Sequence, residues 1–138
     1  MRNEVSSLLC ATLLLATAQA CSATVEVRVA GVTAGKGKVA VAVCDRERFL
    51  KQCAFSAAVP AQGTEVVVSL KDIPPGTWAV LAYQDANENG ELDRNFIGIP
   101  SEHYGFSRNA AGRFGPPGFE DAAIEVREGT TTAPVRLR

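Results

Sequence analysis

The chain has 138 residues, of which 14 are lysine or arginine and 15 are aspartate or glutamate, leaving a formal net charge of −1. The basic residues are scattered rather than gathered in a stripe with aromatic residues between them, which argues against nucleic acid as a partner. After the N-terminal apolar run no segment is long and apolar enough to be a membrane span. The remaining length suits one domain with its own hydrophobic core.

The N-terminal segment, residues 1–20, has the features of a secretory signal peptide. Arg2 supplies a positive charge, residues 8–16 form a short apolar run, and Ala18-Gln19-Ala20 matches the usual cleavage pattern. The apolar run is too short for a membrane-spanning helix, which needs about 20 residues. We therefore predict cleavage after Ala20, a mature domain over residues 21–138, and a periplasmic or secreted location.

Cysteines stand at positions 10, 21, 44 and 53, and the first lies within the predicted signal peptide. Cys44 and Cys53 are close in sequence, and the oxidising compartment of an exported protein favours a disulfide between them. A metal or redox pair is the alternative, but the spacing is not C-x-x-C and no histidine is nearby.

Cys21 would be the first mature residue, which is where bacterial lipoproteins carry a lipid anchor. However, Ala18 stands where such proteins usually have leucine. A lipid anchor at Cys21 and an unlipidated thiol therefore both remain open.

Six segments are predicted strands, because apolar side chains alternate with other residues or because the run is short and mostly apolar. These segments are residues 24–30, 38–44, 64–70, 77–84, 122–127 and 133–138. The fourth is nearly all apolar, which predicts a central strand covered on both faces. A glycine turn at residues 128–130 joins the last two strands, and residues 46–52 favour one helical turn.

Short alternating strands, glycine and proline turns and the lack of sustained helical periodicity predict an all-β fold. The expected architecture is a single antiparallel β-sandwich of about seven strands. The run from Ile73 to Val80 resembles the strand entry of transthyretin-like and collagen-adhesin B-type sandwich domains, with a Pro-Gly turn, a threonine and an aromatic residue. This local resemblance implies a transthyretin-like or immunoglobulin-like sandwich.

The segment from Asp85 to Asp93 has the residue spacing of the first half of an EF-hand calcium loop. Oxygen-bearing side chains fall at its first, third, fifth and ninth positions, and Gly90 is at the sixth, where the chain must turn sharply. The seventh position offers a backbone carbonyl. The predicted calcium ligands are Asp85, Asn87, Asn89, the carbonyl of Glu91, and Asp93.

The twelfth position of this loop is Phe96, which lacks the bidentate carboxylate usual there. Glu102, Asp121 or water would have to complete the coordination shell. Two carboxylates and two amides make a lightly charged site, so the expected dissociation constant is on the order of 10⁻⁴–10⁻³ M. The alternative is a turn rich in Asn and Gly whose side chains bond to their own backbone.

Residues 94–120 combine glycine and proline with aromatic residues, which disordered linkers usually lack. The aromatic residues are Phe96, Tyr104, Phe106, Phe114 and Phe119. We therefore predict a long ordered loop that packs these rings over the end of the sandwich or over the calcium-type loop. The rings would form either a binding surface or a small satellite core.

Candidate catalytic residues are few. His103 is the only histidine, whereas a catalytic zinc usually takes three protein ligands, commonly histidines. Ser101 and Ser107 are the serines closest to it in sequence, and neither lies in a G-x-S-x-G context. The sequence therefore assigns no catalytic residue.

A longer pattern runs through the calcium-type loop and beyond it. Residues 85–107 read D-x-N-x-N-G-x-L-D-x-N-F-x-G-I-P-x-E-x-Y-G-F-S, and residues 115–122 read G-P-P-x-F-E-D-A. These motifs resemble a family of exported bacterial proteins known as domain of unknown function 2141 (DUF2141). The resemblance covers nearly all of the mature chain. It implies an exported β-sandwich with no established activity and supplies no catalytic residues.

Two functions are compatible with these features. The first is a calcium-stabilised binding or structural module of the bacterial cell envelope, whose partner would be an envelope protein, a glycan or a small ligand. The alternative is a metal-dependent hydrolase or a carbohydrate-binding accessory protein that uses Asp85, Asp93, Glu102 and His103 around the ion. A pocket beside the ion with an open coordination position would favour the alternative, and a closed site would favour a structural ion.

Overall fold

The computed structural model describes residues 22–94 and 100–138. The predicted signal peptide, the proposed lipid anchor at Cys21 and the twelfth loop position at Phe96 lie outside the described residues. Among the described residues no helix is long and apolar enough to cross a membrane.

Eight strands make up about half of the described chain: β1 (Ala23–Ala30), β2 (Lys38–Cys44), β3 (Phe55–Pro60), β4 (Glu65–Ile73), β5 (Gly76–Asp85), β6 (Tyr104–Phe106), β7 (Ala123–Val126) and β8 (Gly129–Arg136). The helical structure is one 3₁₀ turn at Ser107–Asn109 and one turn of helix, α1, at Phe119–Ala122. One sheet has the order β4-β1-β8, and the other has the order β3-β2-β5-β6 with β7 also paired to β5. The predicted all-β sandwich is confirmed.

Alternation of side chains builds the core between the two sheets. Val25, Val27 and Val29 of β1 are fully buried, whereas the residues between them are partly or fully exposed. Strand β2 repeats the arrangement with Val39, Val41 and Val43. Because successive side chains of a strand point to opposite faces, these β-branched residues fill one layer and leave the other face to polar and small residues.

The prediction for β5 is confirmed, because this strand lies inside its sheet and is covered on both faces. Val80 and Ala82 belong to the main core between the sheets. Ala79 belongs to a second cluster on the outer face, together with Phe106 and Phe119. We call this group, with Phe49, Leu81, Tyr104, Ala110, Ala122 and Ala123, the satellite cluster.

The predicted disulfide joins Cys44 to Cys53. Its loop carries Phe49 onto the satellite cluster, where the ring lies 5.9 Å from that of Phe106 and 5.8 Å from that of Phe119. The predicted helical turn at 46–52 is wrong: the loop forms irregular turns, and Leu50 has a φ of 62° that is not helical. Packing of Phe49 against the outer face and closure by the disulfide outweigh the weak local helix preference.

Two strands and two connections differ from expectation. Strands β3 and β6 were not predicted, since the sequence of β3 is mostly small residues and β6 has only three residues. Strand β8 pairs with β1 in parallel, so this one pair departs from an antiparallel sandwich. The turn at Gly129 does not close a hairpin, because β7 pairs with β5 and β8 pairs with β1 in the other sheet.

The described part of the aromatic segment, residues 94 and 100–120, forms a satellite core more than an exposed surface. Phe106 and Phe119 are buried, and the ring of Tyr104 packs edge-on against Phe106. Phe114 is the exception, with its side chain fully exposed to solvent. The rings of Phe106 and Phe119 lie over the outer face of the five-stranded sheet.

Candidate metal-binding loop and the adjacent cleft

The calcium-type loop, residues 85–93, begins where β5 ends against the turn between β1 and β2. Gly37 of that turn lies so close that an added Cβ would stand 2.0 Å from the carbonyl oxygen of Asp85. The buried side chain of Gln84 donates to the carbonyl oxygens of Thr33 and Lys36 at 2.7 Å each, and it accepts the N–H of Thr33 at 2.9 Å. The start of the loop is therefore fixed to a neighbouring turn.

The carboxylate of Asp85, buried at the end of β5, folds the loop around itself. One oxygen accepts the backbone N–H of Asn89 at 3.1 Å, and the other accepts that of Gly90 at 2.8 Å. Gly90 has a φ of +79°, which glycine adopts without the steric cost of a side chain. The first and sixth positions of the predicted calcium loop are thus joined as the spacing requires.

The other predicted side-chain ligands meet at Asp93. The amide nitrogen of Asn87 donates to one carboxylate oxygen of Asp93 at 2.5 Å, and that of Asn89 donates to the other at 2.6 Å. The amide oxygens accept backbone N–H groups within the loop, Asn87 from Asn89 and Asn89 from Glu91. The loop therefore brings its third, fifth and ninth positions together.

Glu102, which follows the loop by nine residues, adds a carboxyl group at Asp93. Burial raises the pKa of Glu102 to about 7, and the neighbouring carboxyl groups of Asp93 and Asp85 act in the same direction. A hydrogen bond with Glu102 is the main cause that lowers the pKa of Asp93. The buried Oε2 atom of Glu102 has no hydrogen-bond partner among the described residues.

The predicted reserve ligands behave differently. Glu102 lies at the loop, as one prediction required, whereas Asp121 accepts the backbone N–H of Gly118 at 3.1 Å and caps α1 instead. Asp121 as a loop ligand is therefore not supported. Phe96 lies outside the described residues.

The donor set fits a hard cation that prefers oxygen ligands. Within residues 22–94 and 100–138, no three His, Cys, Asp or Glu side chains are grouped to hold an ion by themselves, so amide or carbonyl oxygens are needed. Calcium binding would require Asn87 and Asn89 to turn their oxygens, rather than their nitrogens, toward the ion beside Asp93. Such a rotation would give up the bonds that both amides donate to Asp93 and those that their oxygens accept within the loop.

Of the two candidate catalytic serines, Ser107 has a structural role, whereas Ser101 lines the same small depression as His103. Ser107 is buried, and its hydroxyl accepts the N–H of Val80 and donates to the carbonyl of Ala122. His103 is exposed and uses its main-chain carbonyl to accept the N–H of Gln84. No side-chain hydrogen bond links His103 to a serine in the part of the chain that the structure describes. This geometry forms no triad.

A cleft of about 600 Å³ opens beside the loop, over the outer face of β5 and β6. Its floor includes Leu81 and Phe106, and Leu92 is the loop residue on its wall. None of the five predicted calcium ligands is among the described residues that line it. A smaller depression of about 230 Å³ lies at Glu102 and His103.

Sequence reasoning did not find the cleft, because its lining comes from separate parts of the chain. Lys51 lies in the disulfide loop, Arg94 follows the calcium-type loop, and Arg113 lies in the aromatic segment. The available signal was the presence of basic residues next to aromatic ones in the disulfide loop and in the aromatic segment, such as Arg48 beside Phe49 and Arg113 beside Phe114. It does not indicate that these segments meet.

Comparison with known proteins identifies the family. The model of a family described as an uncharacterised protein conserved in bacteria, DUF2141, matches residues 27–134. Searches of curated proteins and of solved structures gave no match. The matched range spans the sandwich from β1 into β8, the calcium-type loop and the cleft, and the chain belongs to the DUF2141 family of bacterial proteins.

Proposed function

We propose that the protein is a calcium-stabilised, non-catalytic binding module exported to the bacterial cell envelope. The observation that carries this proposal is the convergence of Asn87, Asn89 and Glu102 on Asp93, in a loop already closed by Asp85. Calcium in proteins is held by such sets of carboxylate, amide and carbonyl oxygens, usually six to eight of them.

The charges of the loop support a bound cation. The carboxyl groups of Asp93 and Asp85 are close enough to Glu102 for their charges to help raise its pKa. Like charges in a partly buried place destabilise the folded state unless a counter-charge offsets them. A divalent ion beside Asp93 would provide that charge, and water or the carbonyl of Glu91 would complete its shell.

The position of the proposed ion site favours a structural role over catalysis. The larger cleft is lined by Leu92 and by other residues that are not predicted ligands. A hydrolytic metal needs an open coordination position facing a substrate pocket. His103 and Glu102 border only the smaller depression, so a metal-dependent hydrolase is the less supported alternative.

The export half of the proposal rests on the N-terminal segment and on the disulfide. Residues 1–20 have signal-peptide features, and Cys44 and Cys53 are joined in a bond typical of oxidising compartments. Intact mass of the exported protein tests this half: a chain that begins at Cys21, with or without an added acyl mass, is expected. A chain that keeps Met1 contradicts export by cleavage.

Thermal unfolding in chelator and in millimolar calcium tests whether the loop binds calcium. If calcium binds only the folded state and is present at ten times its dissociation constant, it adds roughly 1.4 kcal/mol to the free energy of unfolding. This corresponds to a rise in the unfolding midpoint of about 5 °C for a domain of this size. Asp93→Asn should abolish the rise. Asp72→Asn, an exposed residue at the end of β4 with a left-handed φ that asparagine tolerates, is the matched control and should keep it.

Magnesium is the second control, since it requires a smaller octahedral shell and gives up its water less readily. An equal midpoint in chelator and in calcium for the wild-type protein would mean that residues 85–93 are only a turn. The calcium proposal would then fail.

A further inference from the structure

The cleft beside the calcium-type loop has the size and lining of a small-molecule site. Its volume of about 600 Å³ falls inside the range of roughly 300–1,000 Å³ that is usual for such sites. Leu81 of β5 and Phe106 of β6 form an apolar floor, and Tyr104 stands beside Phe106. This floor belongs to the satellite cluster, so it is supported by packed residues beneath it.

The walls of the cleft expose apolar side chains that folding does not bury. Phe114 is 102% exposed and Leu50 is 42% exposed, and both line the cleft. Large apolar side chains that are left exposed around a concavity are typical of ligand-binding sites. Leu50 is placed there by the loop that the Cys44–Cys53 disulfide closes.

The charges at the cleft have one sign. Lys51, Arg94 and Arg113 line it, and no Asp or Glu is among the described residues of the lining. The whole chain has a net charge of −1, so this excess of positive charge is local. Basic side chains above an apolar floor favour an anionic head joined to an apolar body.

We propose that this cleft binds a small amphipathic anion, with a single acyl chain on the floor and a carboxylate or phosphate head at Lys51 and Arg113. The acyl chain would contact Leu81, Phe106 and Phe114. The inference names the ligand of the proposed binding role and rests on that role, but it does not require the calcium ion, because no predicted calcium ligand lines the cleft.

Titration calorimetry with decanoate and decyl phosphate tests the proposal, and decanamide serves as the neutral probe. We expect saturable binding of one anion per chain, with the two anionic probes distinguishing a carboxylate head from a phosphate head. Lys51→Met combined with Arg113→Met should weaken binding of both anions at least tenfold. The same double variant should leave the affinity for decanamide unchanged.

Lys71→Met combined with Arg127→Met removes the same charges from exposed positions that do not line the cleft. This control should bind the anions as the wild type does. Phe114→Ala should weaken binding of the anions and of decanamide alike, because it removes an apolar contact. Since Phe114 is fully exposed, its loss should not affect folding.

Amide chemical shifts locate the site, and changes at Leu81, Phe106 and Gly112 are expected on addition of decanoate. Equal affinity of the wild-type protein and the Lys51 and Arg113 double variant would overturn the proposal. Binding that appears only after Phe96→Gly and Ile97→Gly would also overturn it, since the occupant would then be the chain's own segment 95–99.

Running the titrations in chelator and in calcium separates this inference from the proposed ion. Anion binding in chelator supports the cleft whatever the outcome of the calcium experiment. A calcium-dependent rise in the unfolding midpoint without any anion binding would overturn the proposed anion site in the cleft, but it would support the calcium proposal.

Discussion

The interior of the sandwich and the corner around the calcium-type loop are stabilised by different forces. The interior is made of side chains such as Val25, Val27 and Val41 that are excluded from water, and each buried methylene contributes about 0.8 kcal/mol. The corner is made of polar groups that bond to one another, including Asp85 and Asp93. Each such bond contributes much less than its intrinsic strength, because water competes for the same groups.

The comparison shows why the corner is the sensitive region of the molecule. Apolar burial is spread over many residues and responds little to ions or to pH. The corner depends on a few charged and amide groups, so one proton or one cation can change its stability. The following predictions separate the two regions, beginning with the largest effect.

Removing a buried side chain from the interior should produce the largest loss. Ile73 at the end of β4 is fully buried, and Ile73→Ala should lower the free energy of unfolding by about 2–5 kcal/mol through lost burial and a cavity. Val67→Ala on the same strand is the control, because Val67 is 48% exposed and should cost within about 0.5 kcal/mol. Urea denaturation in chelator and in calcium measures both.

The calcium increment should be the same for Ile73→Ala as for the wild-type protein, because the substitution lies outside the corner. A lost increment would mean that the interior and the corner do not behave as separate regions.

Substitution of Gly37, in the turn between β1 and β2, should destabilise the corner around the calcium-type loop. An added Cβ would meet the carbonyl oxygen of Asp85 at 2.0 Å, and the φ of +60° adds strain for any other residue. Gly37→Ala should therefore cost about 1–3 kcal/mol beyond the loss for Gly35→Ala, and it should reduce the calcium increment. Gly35 is the control, since it has a φ of +80° and no atom within 4 Å of its added Cβ.

Denaturant unfolding of both glycine variants, in chelator and in calcium, provides the measurement. Equal losses for the two variants would show that the β1–β2 turn does not constrain the start of the loop.

The smallest predicted effect is a pH dependence in chelator. The pKa of Glu102 is raised from 4.5 to about 7, mainly by burial, so the folded state favours the protonated carboxyl group. Its contribution to stability is fully present below the pKa of the unfolded state and is lost as the pH rises through about 7. The thermal unfolding midpoint should therefore decrease as the pH rises from about 5 to about 8.

Glu102→Gln should remove this slope, because the amide stays neutral throughout. Asp93 acts in another window: its lowered pKa gives stability that is present above its unfolded value and is lost as the pH falls further. An unchanged slope in Glu102→Gln would assign the effect to another group.

The period of the strands was predictable because it is a local property. Val25, Val27 and Val29 alternate in the sequence and therefore share one face of a strand, whatever the strand pairs with. The run of apolar residues in β5 likewise predicted coverage on both faces. Strand β3 was missed because its small residues, Ala57 and Ala58 among them, carry little pattern, and its pairing with β2 supplies the stability.

The loop was predictable for the same reason, and its surroundings were not. The spacing from Asp85 to Gly90 specifies hydrogen bonds between residues four and five apart. Glu102 was only one of three options for completing the coordination shell, and packing decided that it lies at Asp93. The contact of Gly37 with Asp85 likewise depends on how separate segments pack.

The sequence by itself determined the strands that alternate clearly, the disulfide that closes a short loop, the sharp turn at Gly90 and the family of the chain. These features depend on neighbouring residues, whose separation is set by backbone geometry. Only the tertiary structure decided the parallel pairing of β1 with β8, the position of Phe49 on the outer face and the meeting of Lys51 with Arg113 at one cleft. Such contacts close long loops of chain, and they form where buried area and pairing exceed the entropy lost, which local patterns do not encode.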